Sequence, residues 1–221
     1  MAAIALVVVA AACLAVGMRS HQDALPAPTP VPTSHRQPSA PATIQPAGQA
    51  ELSVARSVPV FVRIPAIGVA VSLSTLGLNP DGTVQVPTDF AQPGWYRLGP
   101  SPGQIGSAVI LGHVDSYRGP AVFFELRSLS AGDAVEVTLA DGVVAHFAVT
   151  TVAMYTKAQF PAEQVYASHG YAALQLVTCG GQFDRASGHY LSNVVAYSTL
   201  VATTPTAKTA AAPAGSANRN S

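Results

Sequence analysis

The chain has 221 residues and balances 11 basic against 11 acidic side chains, so no net field points to nucleic acid or to an acidic lipid surface. Charged residues are only 10% of it, against about a quarter in an average soluble domain. Both ends are rich in Ala, Pro, Ser and Thr, and removing them leaves one domain, residues 58–202, large enough to bury a core of its own.

Met1 to Gly17 is apolar throughout and is followed by Met18-Arg19-Ser20-His21. The run is slightly short of the roughly 20 residues that span a bilayer. Residues 1–18 read first as an uncleaved signal-anchor and second as a cleaved signal peptide. A lipoprotein signal ending in Ala10-Ala11-Ala12-Cys13 ranks last, because Ala10 stands where a larger aliphatic residue is usual. Residues 19–57 contain Pro26, Pro28, Pro30, Pro32, Pro38, Pro41 and Pro46 among Ser, Thr, Gln and Ala. Such a segment buries too little apolar surface to fold, and it is expected to form an extended stalk. Residues 203–221 are expected to form a disordered tail.

Within the domain, Pro59 to Ile64 reads as a strand ended by Pro65, and Ile67 to Leu73 as a second. Asn79-Pro80-Asp81-Gly82 is a turn leading to a short strand, Val84 to Val86. Pro93-Gly94-Trp95-Tyr96 and the stretch from Leu98 to Gly103 read as loops, and Ser107 to Leu111 as an apolar strand. Val122 to Leu126 fits a helical turn or part of a strand. Asp133 to Leu139 and Val143 to Val152 form a hairpin about Asp141-Gly142. Phe160 to Tyr166 suggests a short helix, and Ala173 to Thr178 and Asn193 to Leu200 are the last strands. Many short strands between Gly/Pro turns, with little helical period, indicate an all-β barrel or sandwich.

The strand ending at Leu111 runs into Gly112-His113, and the strand ending at Thr178 runs into Cys179-Gly180-Gly181. Two such strands lying side by side and ending at one rim would bring His113 and Cys179 together, the minimum apparatus for thiol nucleophilic catalysis. The only other cysteine, Cys13, lies in the N-terminal apolar segment, so Cys179 is an unpaired thiol in a chain that reads as exported. A lone cysteine is more often a small buried hydrophobe. The adjoining glycines and the matching histidine reverse that preference here.

The blocks Ile110-Leu111-Gly112-His113-Val114-Asp115-Ser116, Gly119-Pro120-Ala121-Val122-Phe123-Phe124, Leu129-Ser130-Ala131-Gly132-Asp133 and Leu176-Val177-Thr178-Cys179-Gly180-Gly181-Gln182-Phe183-Asp184 resemble the sortases, and most nearly the class F type of high-GC Gram-positive bacteria. The resemblance runs from about Val60 to Tyr197. It implies an eight-stranded β-barrel with short helices, held outside the cell by the N-terminal membrane segment. It also implies a cysteine transpeptidase that cuts secreted proteins at an LPXTG-type sorting signal and passes them to an amine, such as a cell-wall peptidoglycan precursor. No cofactor is implied.

In that reading Cys179 is the nucleophile, and His113 is the acid for the leaving amine and the base for the incoming one. Sortases are expected to place an arginine near the cysteine to stabilise the oxyanion. Downstream of Cys179 there are only Arg185 and Arg219, the latter in the tail, so Arg185 takes that role, with Arg63 in reserve. Other sortase classes carry the arginine about a dozen residues after the cysteine, where this chain has Leu191 and Ser192. His146, His169 and His189 read as surface or loop residues, with His189 the best substitute for His113. Asp115 reads as a turn cap after the strand. One domain cysteine with scattered histidines does not make a zinc site. Two other functions compete: a non-catalytic cell-surface β-domain on a stalk, and a plain cysteine peptidase.

Overall fold

The computed structural model describes residues 52–205. The membrane segment (1–18), the stalk up to residue 51 and the tail from residue 206 lie outside the described residues. The elements are β1 (Pro59–Ile64), β2 (Val69–Ser72), β3 (Ser74–Leu76), β4 (Gly94–Tyr96), β5 (Gly106–Leu111), β6 (Asp115–Ser116), β7 (Gly119–Pro120), β8 (Ala134–Leu139), β9 (Val143–Thr156), α1 (Ala162–Tyr166), β10 (Ala172–Asp184) and β11 (His189–Pro205). Nine strands form one sheet in the order β2-β1-β8-β9-β11-β10-β5-β4-β3, and β6 and β7 form a separate hairpin.

The sheet has to curl. Val62 and Ile64 of β1 share one buried cluster with Ala108 and Ile110 of β5. Four strands stand between β1 and β5 in hydrogen-bond order. In a flat sheet those side chains would sit about 24 Å apart, so contact requires the sheet to wrap around them. The result is an all-β barrel, with shifts of register in β11 at Tyr197/Ser198 and Leu200/Ala202 where it bends.

Every side chain of β5 is buried, because both faces of the strand are covered. Ala108 and Ile110 point into the barrel core with Leu174, Leu176, Val194 and Ala196. Val109 and Leu111 point the other way, into a second cluster with Val177, Val195 and Tyr197. That outer cluster is roofed by the β9–β10 connection, through Phe160, Val165 and Tyr166.

The expected eight strands become nine partly because Pro93-Gly94-Trp95-Tyr96 is not a loop. Trp95 pairs with Ile110, is 3% exposed and donates its indole N–H to Pro100 O at 3.0 Å. Gly94 permits this close pairing, since a Cβ there would lie 2.5 Å from Leu76 Cγ. Val84 to Val86 contributes only a single bridge, Leu78 to Val84. The stretch from Val122 to Leu126 is turns leading into a 3-10 helix, Leu126–Ser128. Residues 52–57, which composition assigns to the stalk, lie along the barrel. Leu52 and Val54 pack on its core, and the Arg56 guanidinium donates to Arg97 O at 2.6 Å and Gly99 O at 3.0 Å.

Candidate active site

β5 and β10 run parallel, and their register ends with Leu111 opposite Val177. The Gly112 N–H extends the ladder by one bond, to Val177 O at 3.0 Å. The next rung therefore sets His113 beside Cys179. Leu111 and Val177 both point into the outer cluster, and alternation returns His113 and Cys179 to that same face. Across the antiparallel β10–β11 ladder Cys179 pairs with Asn193, and across β11–β9 Asn193 pairs with Tyr155. The row is thus His113, Cys179, Asn193, Tyr155.

Two glycines make room for this arrangement. A Cβ on Gly112 would fall 2.5 Å from the ring of Phe123, which is fully buried. Gly112 thereby lets Phe123 pack directly beneath the histidine segment, where the Phe123 N–H also donates to His113 O at 2.9 Å. After Cys179 the β10–β11 register slips between Gly180 and Phe183. Gly181 takes φ of 76° there, and a side chain on it would meet Ser192 Oγ at 2.8 Å.

His113 is 4% exposed. Its Nε2 lies 2.7 Å from Pro87 O, and Phe90 covers the ring at 4.5 Å. A carbonyl can only accept, so in the neutral ring the proton sits on Nε2 and Nδ1 is the basic nitrogen. Burial pushes the imidazole below its ordinary value, and the Pro87 carbonyl and the Asp115 and Asp89 carboxylates oppose that shift without cancelling it. Cys179 is 9% exposed and forms no disulfide among the described residues.

Where the sequence suggests a turn cap, Asp115 bonds to a distant strand: its carboxylate accepts the hydroxyl hydrogen of Tyr190 on β11. Burial, then the bond to Asp115, then the charges of Asp115 and Cys179 push the Tyr190 phenol up to about 12, so Tyr190 lies within electrostatic reach of the thiol. No sequence motif marks Pro87, Phe90, Asn193 or Tyr190, because each reaches the pair only through tertiary contact.

The structure does not bring Arg185 to this row. It is exposed in the turn between β10 and β11, beyond Asp184. Five residues of strand separate Cys179 from Asp184, roughly 16 Å of rise if fully regular. Arg63 does not replace it: its side chain is 53% exposed and pairs with Glu136 on β8 at 3.1 Å. Leu191 is 46% exposed and Ser192 is buried. His189 pairs with Asp184 at the far end of the hairpin, His146 bonds Thr204 Oγ1 at 2.8 Å, and His169 bonds Gln164 O at 2.9 Å. Of the four, His113 alone adjoins the cysteine rung. Among the described residues no group of three His, Cys, Asp or Glu side chains is arranged to hold a metal.

The row offers a thiol and an imidazole on one face, partly shielded from water, which suits acyl transfer through sulfur. A family model for the sortase domain matches residues 62–201. No curated protein is matched by the chain. Among solved structures the fold is similar to sortase A of Listeria monocytogenes, with a TM-score of 0.53 at 17% identity over 70% of this chain and 93% of that one. It is also similar to sortase C of Streptococcus pneumoniae, with a TM-score of 0.51 at 21% identity over 70% and 74%. A lid mutant of sortase A from Corynebacterium diphtheriae gives 0.51 at 16% identity over 67% and 73%. The family match runs from β1 to β11 and takes in both His113 and Cys179, and the chain belongs to the sortase family of cysteine transpeptidases.

Proposed function

We propose that this protein is a class F sortase, held at the cell membrane by residues 1–18 with its catalytic domain outside the cell. On this reading it cuts secreted proteins at an LPXTG-type signal between Thr and Gly, and passes them to the amine of a cell-wall peptidoglycan precursor. The observation that supports the site is the parallel register of β5 and β10, whose last pair, Leu111 and Val177, lies two residues before His113 and Cys179. The Gly-His-Val-Asp and Val-Thr-Cys-Gly-Gly blocks support the class.

The chemistry follows from those two side chains. The Cys179 proton passes to His113, and the thiolate sulfur attacks the Thr carbonyl carbon. The C–N bond to Gly breaks, the leaving amine takes the proton from His113, and a thioester remains on Cys179. An incoming amine then attacks that carbonyl and gives its proton to His113, and the sulfur leaves as thiol once that proton returns. Arg185 has no part in these steps.

The test is to incubate the protein with a panel of sorting-signal peptides, with and without an added amine, and to separate the products. Thr–Gly cleavage that yields an amine-linked product supports the reading. Thr–Gly cleavage that only ever yields free acid would leave a peptidase, and no cleavage of any peptide would remove the substrate class.

A further inference from the structure

Two hairpins leave the barrel rim, and each starts at a member of the proposed pair. The β6–β7 hairpin begins two residues after His113, and the outer part of β10–β11 begins directly after Cys179. They are joined by the hydrogen bond from the Tyr190 hydroxyl to the Asp115 carboxylate, which links residues 75 positions apart. Tyr190 on β11 stands opposite Phe183 on β10 just past the register slip, and the two rings pack edge to face at 5.2 Å, so the phenol is braced by the neighbouring strand.

Asp115 also acts on the histidine. Three groups bear on the His113 ring: Pro87 O and Asp89 from the preceding loop and Asp115 from its own segment. Burial disfavours the charged ring, yet the reaction requires that ring to carry a proton between thiol, leaving amine and incoming amine. A carboxylate fixed nearby offsets that cost at the moment the ring is charged. A carboxylate on a two-residue strand, free to turn to water, would offset little of it.

The geometry points to Asp115 and Tyr190 as a positioning pair for transpeptidation: the phenol pins the carboxylate, and the pinned carboxylate steadies His113 as it takes up a proton beside Cys179. This rests on the roles given to Cys179 and His113 above. Neither residue forms a bond to substrate.

The test uses the full chain with Tyr190→Phe, Asp115→Asn and the double variant. Tyr190→Phe removes one oxygen, and Asp115→Asn keeps an acceptor for the phenol while losing the charge. Each single change should lower kcat/KM for a sorting-signal peptide about tenfold, part of the roughly hundred- to ten-thousandfold that a positioned acid–base group supplies. The loss should lie in kcat rather than KM, with Tm preserved. The double variant should be no slower than the worse single one, because the two act as a unit. In Asp115→Asn the His113 ring signals should titrate at lower pH by NMR. Additive losses, or an unmoved His113 titration in Asp115→Asn, would overturn the inference. The NMR readout needs no turnover, so it tests the pair even if the parent cleaves no peptide, an outcome that would count against the proposed function instead.

Discussion

Leu111 pairs with Val177 in the parallel ladder of β5 and β10, and each is followed two residues later by a member of the candidate catalytic pair, His113 and Cys179. The parallel sense is what matters. Both strands end at the same rim, so equal offsets beyond the last pair land side by side.

That rung depends on a residue with no side chain. Gly112→Ala would drive a Cβ to within 2.5 Å of the buried Phe123 ring. The overpacking should cost about 1–3 kcal/mol, read as a fall of several degrees in Tm. Activity should fall as well, because the displaced strand end carries His113. Unchanged Tm and turnover would show that Phe123 yields freely.

Arg185→Ala should turn over peptide within about twofold of the parent, as expected for an exposed side chain away from the reacting atoms. Removing a true oxyanion donor costs about a hundred- to a thousandfold. A loss of that size would show that the hairpin tip folds onto the site during the reaction.

The domain begins before residue 58. A chain starting at Leu52 should be more stable than one starting at Val58 by about 1–3 kcal/mol, from the apolar contacts of Leu52 and Val54 and the bonds of Arg56. Arg56 also lies over the Trp95 ring at 5.3 Å. Urea midpoints of the two chains measure the difference, and equal midpoints would make residues 52–57 a passive extension.

Burial holds the His113 imidazole below its ordinary value, so the unfolded chain binds this proton more readily than the folded one. Stability from this group is therefore complete above the ordinary imidazole range, near pH 6.5, and is lost as the pH falls through it. Tm should drop on acidification through that range, and His113→Gln should flatten the drop. An identical slope in both proteins would assign the effect to other groups.

The apolar runs ending at Leu111 and Thr178 were legible because periodicity and β-branched content report burial, and the two glycine-flanked ends reported the pairing. The class of fold followed from the same signals. The strand Gly94–Tyr96 was not legible, since Pro93-Gly94 reads as a turn until Leu76 is seen to require a glycine. Elimination among the arginines downstream of Cys179 leaves Arg185, which is near in sequence, but in an extended strand nearness in sequence becomes distance in space. The link between Asp115 and Tyr190 spans 75 residues and carries no local pattern.

The central claim is that Cys179 carries the acyl group. Intact-mass measurement of the protein mixed with a sorting-signal peptide, before any amine is added, tests it most directly. The expected result is an adduct equal to the peptide up to its Thr, mapped to Cys179, discharged by an added amine and absent in Cys179→Ala. Peptide cleavage that persists in Cys179→Ala, or an adduct mapped to any other residue, would contradict it.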